Sequence, residues 1–302
     1  MNPDGNLVKK IKSGDFIVTA EYLPRVSTQQ PAGKDIVDAL SNGLCAVNVS
    51  DNPYCPTMSS IAASVALSRA GIEPVLQIIT RDRNRIALQS DLLGAAYLGI
   101  KNVLCLSGYH QTLTGSIESA NVYDIDSIQL VAVIKKMHEE GTLLDGSKFD
   151  GEFSMLAGAT ANPYLTPLEL NLLSLAKKVD AGAGFIQTKA VFDTVMFNQW
   201  LETARNEGIT EKTSILAGVL PLKSATEAEM LRDTFSDFRI PDEVIERLKA
   251  AGNADAQKKE GVVVCSEIIL KLKEIDGLRG IHILSGGNET VVPELLAVSG
   301  LS

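Results

Sequence analysis

Short runs of apolar, often β-branched residues recur along the chain eight times, roughly every 30 residues, and a polar or glycine-rich cluster follows each run. The runs are Phe16–Glu21, Ala46–Ser50, Pro74–Ile79, Val103–Ser107, Phe153–Gly158, Phe185–Thr188, Ser214–Val219 and Gly280–Leu284. Helical patterns with one apolar face lie between them. Strands that are hydrophobic almost throughout are buried on both faces, as in a parallel sheet whose crossovers are helices. Eight such units predict a closed (β/α)₈ barrel, an α/β fold that gathers its chemistry at the carboxyl ends of the strands.

Helices are expected at Asp35–Leu40, Thr57–Ala70, Ile86–Leu98, Asp126–Glu140 and Pro167–Lys178, with Gly71, Gly99 and Gly141 closing three of them. The last of these places Leu168, Leu170, Leu172, Leu173 and Leu175 on its buried side. The polar loop Tyr109–Asp124 leaves the top of strand four and is placed to cover a ligand, whereas Thr142–Gly151 enters the bottom of strand five. After strand seven, Thr226–Ser236, Pro241–Ala251 and Asp255–Glu274 predict extra helices, which barrels use for packing and sometimes for a phosphate site. No linker-like tract interrupts the pattern, so one domain is expected over residues 1–302.

Composition narrows the partners. A hydrophobic content of 45% with only 5% aromatics fits an Ala/Leu/Val/Ile core. The net charge of −9, without a Lys/Arg cluster, argues against nucleic acid as a partner. Cys45, Cys55, Cys105 and Cys265 show no C-x-x-C spacing and read as reduced thiols. The residues Met1–Asp15 lack an apolar signal core, and no run of 18 apolar residues occurs, so a cytoplasmic protein without a membrane span is expected. No phosphate-binding glycine motif and no metal-ligand spacing is present, so no metal is expected.

Each strand end is an address for chemistry. Alternation turns Glu21 into the barrel mouth, where burial would raise its pKa into the range of a proton donor; a helix-cap or salt-bridge role is the alternative. Asn48 to Pro53 supplies short hydrogen-bonding side chains suited to a polar heterocycle, or to a turn. Arg81, Arg83 and Arg85 interleave with acids and suggest a rim of ion pairs for at least two of them, with the third as a candidate to reach a ligand phosphate. Ser107, Gly108, Tyr109 and His110 combine close backbone approach, a stacking face and a titratable ring. His138 reads as helix surface and His282 as strand interior. Ala157–Pro163 leaves room for something flat, and Lys189 at the end of strand six is an amine at the address a Schiff base would need.

Five stretches, in order and at family spacing, resemble the methylenetetrahydrofolate reductase family, particularly its short bacterial members: Ala20–Pro24, Thr80–Asn84, Leu93–Leu104, Lys178–Thr188 and Gly218–Pro221. The resemblance implies a TIM barrel that binds FAD noncovalently, takes hydride from NADH or NADPH and delivers it to 5,10-methylenetetrahydrofolate, a step of one-carbon metabolism that feeds methionine biosynthesis. It implies that Glu21 protonates the folate N10. By the same resemblance Ser50, Gln77, Ser107, Gly108, Tyr109, His110, Ala159, Thr160, Asn171 and Lys178 face the flavin, and Glu21, Tyr109, Lys189, Ala225 and Asn288 face the folate. The chain is expected to be a homo-oligomer or to serve as a partner subunit.

The chain departs from the family pattern at specific places. Ser50 stands for a threonine, Gln77 for a histidine, Tyr109 for an aspartate and Lys189 for a glutamine, while Ala225 replaces an aromatic and Asn288 an arginine. Two other readings follow: a diverged, flavin-free barrel that binds a pterin or serves as a partner subunit, and a Schiff-base aldolase built on Lys189.

Overall fold

The computed structural model describes residues 5–29, 32–235 and 238–301. Strands β1 (Ile17–Tyr22), β2 (Ala46–Val49), β3 (Pro74–Ile79), β4 (Asn102–Leu106), β5 (Leu156–Ala161), β6 (Phe185–Ala190), β7 (Ser214–Val219) and β8 (Gly280–Ile283) pair in parallel and in chain order, and β8 closes on β1. Helix α1 (Asn6–Ser13) precedes them. The crossovers are α2 (Lys34–Leu40), α3 (Ser60–Arg69), α4 (Arg85–Tyr97), α5 (Ser127–Glu140), α6 (Leu168–Asp180) and α7 (Thr194–Asn206). Three helices, α8 (Ala225–Thr234), α9 (Asp242–Ala250) and α10 (Ala254–Lys273), separate β7 from β8, and α11 (Val292–Val298) follows. This is a (β/α)₈ TIM barrel. Ser236, the expected end of the first extra helix, lies outside the described residues.

Two apolar layers hold the barrel. The larger joins the outer faces of the strands to the helices and contains Trp200, Phe197, Leu88 and Leu92, all essentially inaccessible to water. The smaller fills the amino end of the barrel with Ile17, Ala46, Val75, Leu104, Phe185 and Leu216, plugged from below by Leu7 of α1. Glu73, just before β3, accepts the backbone N–H groups of Asn6 and Leu7 and so caps that plug. Helix α5 starts with a capping box, in which Asp126 Oδ1 accepts from Gln129 N at 2.7 Å and Gln129 Oε1 from Asp126 N at 2.9 Å.

Two expectations are corrected. The fifth strand runs Leu156–Ala161, three residues later than the apolar run Phe153–Gly158. Phe153 and Met155 are buried but lead into the strand, whose small residues make room for Phe185: a Cβ on Gly158 would lie 2.2 Å from that ring. On α6 only Leu172 and Leu175 of the five leucines are buried, together with Asn171 and Val179. Leu168, Leu170 and Leu173 are exposed. With 3.6 residues per turn, positions 172, 175 and 179 share a face and 170 and 173 lie on the far side.

Candidate active site

A cavity of about 700 Å³ opens at the carboxyl end of the barrel, within the range of sites that enclose a small molecule. Its floor is polar. Thr19, Asn48, Gln187 and His282 project inward from β1, β2, β6 and β8, are buried, and hydrogen-bond to one another. Burial lowers the His282 pKa to about 3, so the ring is neutral at ordinary pH.

One layer above, Glu21 faces the cavity from β1. Ser50 Oγ donates to its Oε1 at 2.8 Å. Burial raises the Glu21 pKa; the bonds from Ser50 and the backbone of Gly286 oppose it, the nearby Glu289 adds to it, and Lys189 opposes it. Glu289 is itself buried, accepting from Leu23 N at 3.0 Å and Ser285 Oγ at 3.4 Å. It carries no strand-end signal in the sequence, because it lies in a short 3₁₀ turn after β8.

The opposite wall owes its shape to an irregularity in β6. Gln187 pairs with Leu216 and Ala190 with Gly218, so β6 spends one residue more than β7 over the same interval. Thr188 Oγ1 accepts from Gly218 N at 3.0 Å and donates to Lys189 O at 2.9 Å. As a result Gln187, Thr188 and Lys189, three consecutive residues, all line the cavity. Lys189 Nζ donates to Tyr109 Oη at 2.9 Å and lies 4.8 Å from the Tyr109 ring centroid. The two side chains that stand where the family pattern has an acid and an amide thus contact each other.

Tyr109 belongs to an aromatic wall. Its ring stacks on Tyr54 at 6.1 Å between centroids and meets Phe235 at 5.1 Å. Gly108 makes the approach feasible: it adopts φ +82°, and a Cβ there would lie 2.4 Å from Ile79 Cγ2. Arg81 donates to the carbonyls of Tyr109 (3.1 Å) and Asn52 (2.8 Å) while bonding to Asp82 at 2.7 Å, which ties the loops after β2 and β4 together. Arg83 bridges Asp51 (2.6 Å) and Asp91 (2.9 Å), and Arg85 holds Asp124 at 2.8 Å. All three rim arginines are therefore engaged by carboxylates.

On the far side Ser107, Ser127, Thr160 and Lys178 line the cavity. Lys178 Nζ donates to Thr160 O at 2.7 Å, and burial lowers its pKa, with Asp126 opposing. This set, an ammonium and three hydroxyls beside the start of α5, suits the anionic tail of a nucleotide.

Of the residues the sequence singled out, Glu21, Gln77, Ser107, Gly108, Tyr109, Thr160, Lys178 and Lys189 meet at the cavity. Ser50 reaches it through Glu21. The others lie elsewhere. His110 is exposed and bonds to Thr112 (3.0 Å) and Asn121 (2.8 Å) within its own loop. Ala159 faces the outer core, Asn171 ties down the carbonyls of Asn162 and Leu165, Ala225 begins α8 buried, and Asn288 precedes the turn that carries Glu289, its Oδ1 accepting from Thr290 Oγ1. Ten residues on from Ala225, Phe235 lines the cavity with Phe238 beside it. Met230 and Leu231 complete that wall.

A family model described as methylenetetrahydrofolate reductase matches residues 6–300. The chain belongs to this family. Among relatives of the methylenetetrahydrofolate reductase family, a probable methylenetetrahydrofolate reductase (NADPH) of Caenorhabditis elegans is 24% identical over 80% of this chain and 34% of its own length. The 5,10-methylenetetrahydrofolate reductase of Salmonella typhimurium is 24% identical over 71% of this chain and 66% of its own length. The chain thus matches about a third of the one relative and just under two thirds of the other. A solved structure of an uncharacterized protein from Clostridium thermocellum, which binds two copies of 5-methyl-5,6,7,8-tetrahydrofolic acid, shares the fold with a TM-score of 0.65 at 11% identity, covering 98% of this chain and 99% of that one. A 2,3-dimethylmalate lyase shares it with a TM-score of 0.52 at 12% identity. Among the described residues no helix is long and apolar enough to cross a membrane, and no cluster of metal-binding side chains occurs.

Proposed function

We propose that the chain is a single catalytic barrel that reduces 5,10-methylenetetrahydrofolate to 5-methyltetrahydrofolate, with NAD(P)H as the electron source and FAD as the carrier. The observation that supports this most is Glu21: a carboxyl group in the cavity, hydrogen-bonded by Ser50 and held above its ordinary pKa chiefly by burial. Such a group retains its proton nearer neutrality and can give it to a leaving nitrogen.

In the reaction, Glu21 protonates N10 as the C–N10 bond of the five-membered ring breaks, and the electron pair of that bond goes to N10. The methylene carbon is left as an iminium on N5, which accepts hydride and becomes the methyl group. Glu21 recovers a proton from solvent.

The residues present fit a flavin nucleotide. Lys178, Ser127 and Ser107 offer a cation and hydroxyls to its phosphates, Thr160 lies alongside, and Gln77 offers an amide to the ring edge. A bound flavin supplies two-electron transfer between nicotinamide and substrate. Leu104, Leu106, Leu220 and Leu284 exclude water around the reacting atoms, and the Tyr54–Tyr109–Phe235 wall provides a stacking face.

A second reading has one observation in its favour. The Lys189–Tyr109 bridge stands where the family pattern has the carboxylate and amide that hold a pterin, which suits a barrel that binds reduced folate without flavin. The absorption spectrum of the purified protein separates the two. Visible flavin absorption, bleached by NADH and restored by methylenetetrahydrofolate, supports the first reading. A colourless protein that takes up no flavin on reconstitution yet binds 5-methyltetrahydrofolate supports the second. A protein that binds neither refutes both.

A further inference from the structure

We propose that His282 is a ligand-orienting hydrogen-bond donor, a neutral imidazole whose Nε2–H faces the cavity and holds the acceptor edge of a carbonyl-bearing flat heterocycle. The ligand half of this inference rests on the function proposed above. The donor half rests on the buried network alone.

Donors and acceptors on the cavity floor can be assigned one by one. Asn48 Nδ2 donates to Gln187 Oε1 at 2.6 Å. The Gln187 Nε2 amide has two protons, and it spends them on Asn48 Oδ1 at 3.1 Å and Thr19 Oγ1 at 3.3 Å. Thr19 then has one proton to give. Two acceptors are in reach, His282 Nδ1 at 2.9 Å and the carbonyl of Ile281 at 3.4 Å, and we assign the proton to the shorter contact, which makes Nδ1 the acceptor. A neutral imidazole that accepts at Nδ1 carries its proton on Nε2.

That Nε2 has no hydrogen-bond partner among the described residues, although the ring is only 2% exposed and forms part of the cavity lining. An N–H that opens onto the cavity without a protein partner is satisfied by whatever fills the cavity, water in the free protein and a ligand acceptor when one is bound. Burial keeps the ring neutral, so the donor is an N–H and not an imidazolium. Its position is fixed from two sides: register pairs His282 with Thr19 on β1 and with Gly218 on β7, so the ring cannot retreat into the wall. The acceptor it suits is a ring carbonyl or an unprotonated ring nitrogen. Pterins and isoalloxazines share that chemistry at their pyrimidine edges.

The test is ¹⁵N NMR of histidine-labelled full-length protein, first without ligand and then with saturating 5-methyltetrahydrofolate or FAD as separate arms. With three histidines in the chain, His282→Gln assigns the resonance. The expected result is a pyrrole-type Nε2 and a pyridine-type Nδ1 in the free protein, with the Nε2 signal moving on addition of one probe. The arm that moves it identifies the source of the heterocycle. Affinity gives an independent readout: His282→Phe, which removes the donor, weakens that probe about tenfold relative to His282→Gln, which retains an N–H near the same place. A proton on Nδ1 in the free protein overturns the proposal, and so does binding of a probe that leaves the His282 signals unmoved while the functional reading survives. Failure of both probes to bind overturns the functional reading and the ligand half together, whatever the tautomer.

Discussion

Lys189 and Tyr109 give the most discriminating prediction, because they are altered relative to the family pattern at two separate strand ends and touch each other in the fold. The 2.9 Å contact from an ammonium to a phenol oxygen is a charge-assisted hydrogen bond, worth about 1.5–3 kcal/mol when well shielded. The ammonium also lies 4.8 Å from the ring centroid, which adds about 0.5–1 kcal/mol at a partly exposed site. Lys189 is only half-buried, so solvent screening reduces both contributions. A net coupling of about 1–2 kcal/mol follows. It is measured by two double-mutant cycles in urea unfolding, Lys189→Met with Tyr109→Phe and Lys189→Met with Tyr109→Leu. The first removes the hydroxyl and keeps the ring; the second removes both. Contacts that either residue makes with third parties cancel in the cycle. The Leu cycle should exceed the Phe cycle by about 0.5 kcal/mol, the share of the ring face. Coupling below about 0.3 kcal/mol in both cycles, with unchanged m-values, would falsify the view that the two substitutions compensate each other.

Other consequences are testable in the same way. Glu21→Gln should lower folate-dependent NADH oxidation about 10²–10⁴-fold while the protein stays folded, and unchanged turnover would remove Glu21 from the chemistry. Because its folded pKa lies above 4.5, the contribution of Glu21 to stability is intact below that value and is lost as pH rises through the folded pKa. Glu21→Gln should therefore gain on wild type across that rise, and parallel stability curves for the two proteins would contradict the assigned burial. Arg83→Met leaves the fully buried side chain of Asp51 without its cation and should cost about 3–5 kcal/mol in a urea melt; a loss under 1 kcal/mol would show that the Ile79 N–H suffices for that carboxylate. Gly158→Ala drives a methyl group to within 2.2 Å of the Phe185 ring and should cost about 1–3 kcal/mol or more, with relief when Phe185→Leu is added. Absence of relief would place the strain elsewhere.

The barrel was legible because buried parallel strands leave a repeated mark, short β-branched apolar runs at a regular spacing closed by polar clusters, with longer helical patterns between them. The acid was legible for a related reason: alternation along β1 leaves Glu21 one direction to point. Legibility failed where position depends on partners far away in the chain. Gln187 and His282 look like ordinary strand residues and Asn48 like part of a polar strand end, and only closure of the barrel brings the three within one bonded network. Phe235 lines the cavity from a position ten residues beyond Ala225, because α8 carries the chain across the mouth before the aromatic is set down. Glu289 sits in a turn with no period to read. The α6 leucines misled in the opposite sense, since leucine count was a poor guide and angular position around the helix decided which of them met the sheet.

The extra residue in β6 has a consequence for how such a barrel changes its chemistry. The bonds that fasten the kink are made by main-chain groups and by the Thr188 hydroxyl, and none requires a particular side chain at position 189. A lysine, a glutamine or a smaller group can be installed there without renegotiating the ladder on either side. The fold thereby keeps one interchangeable socket facing its ligand, insulated from the architecture that supports it.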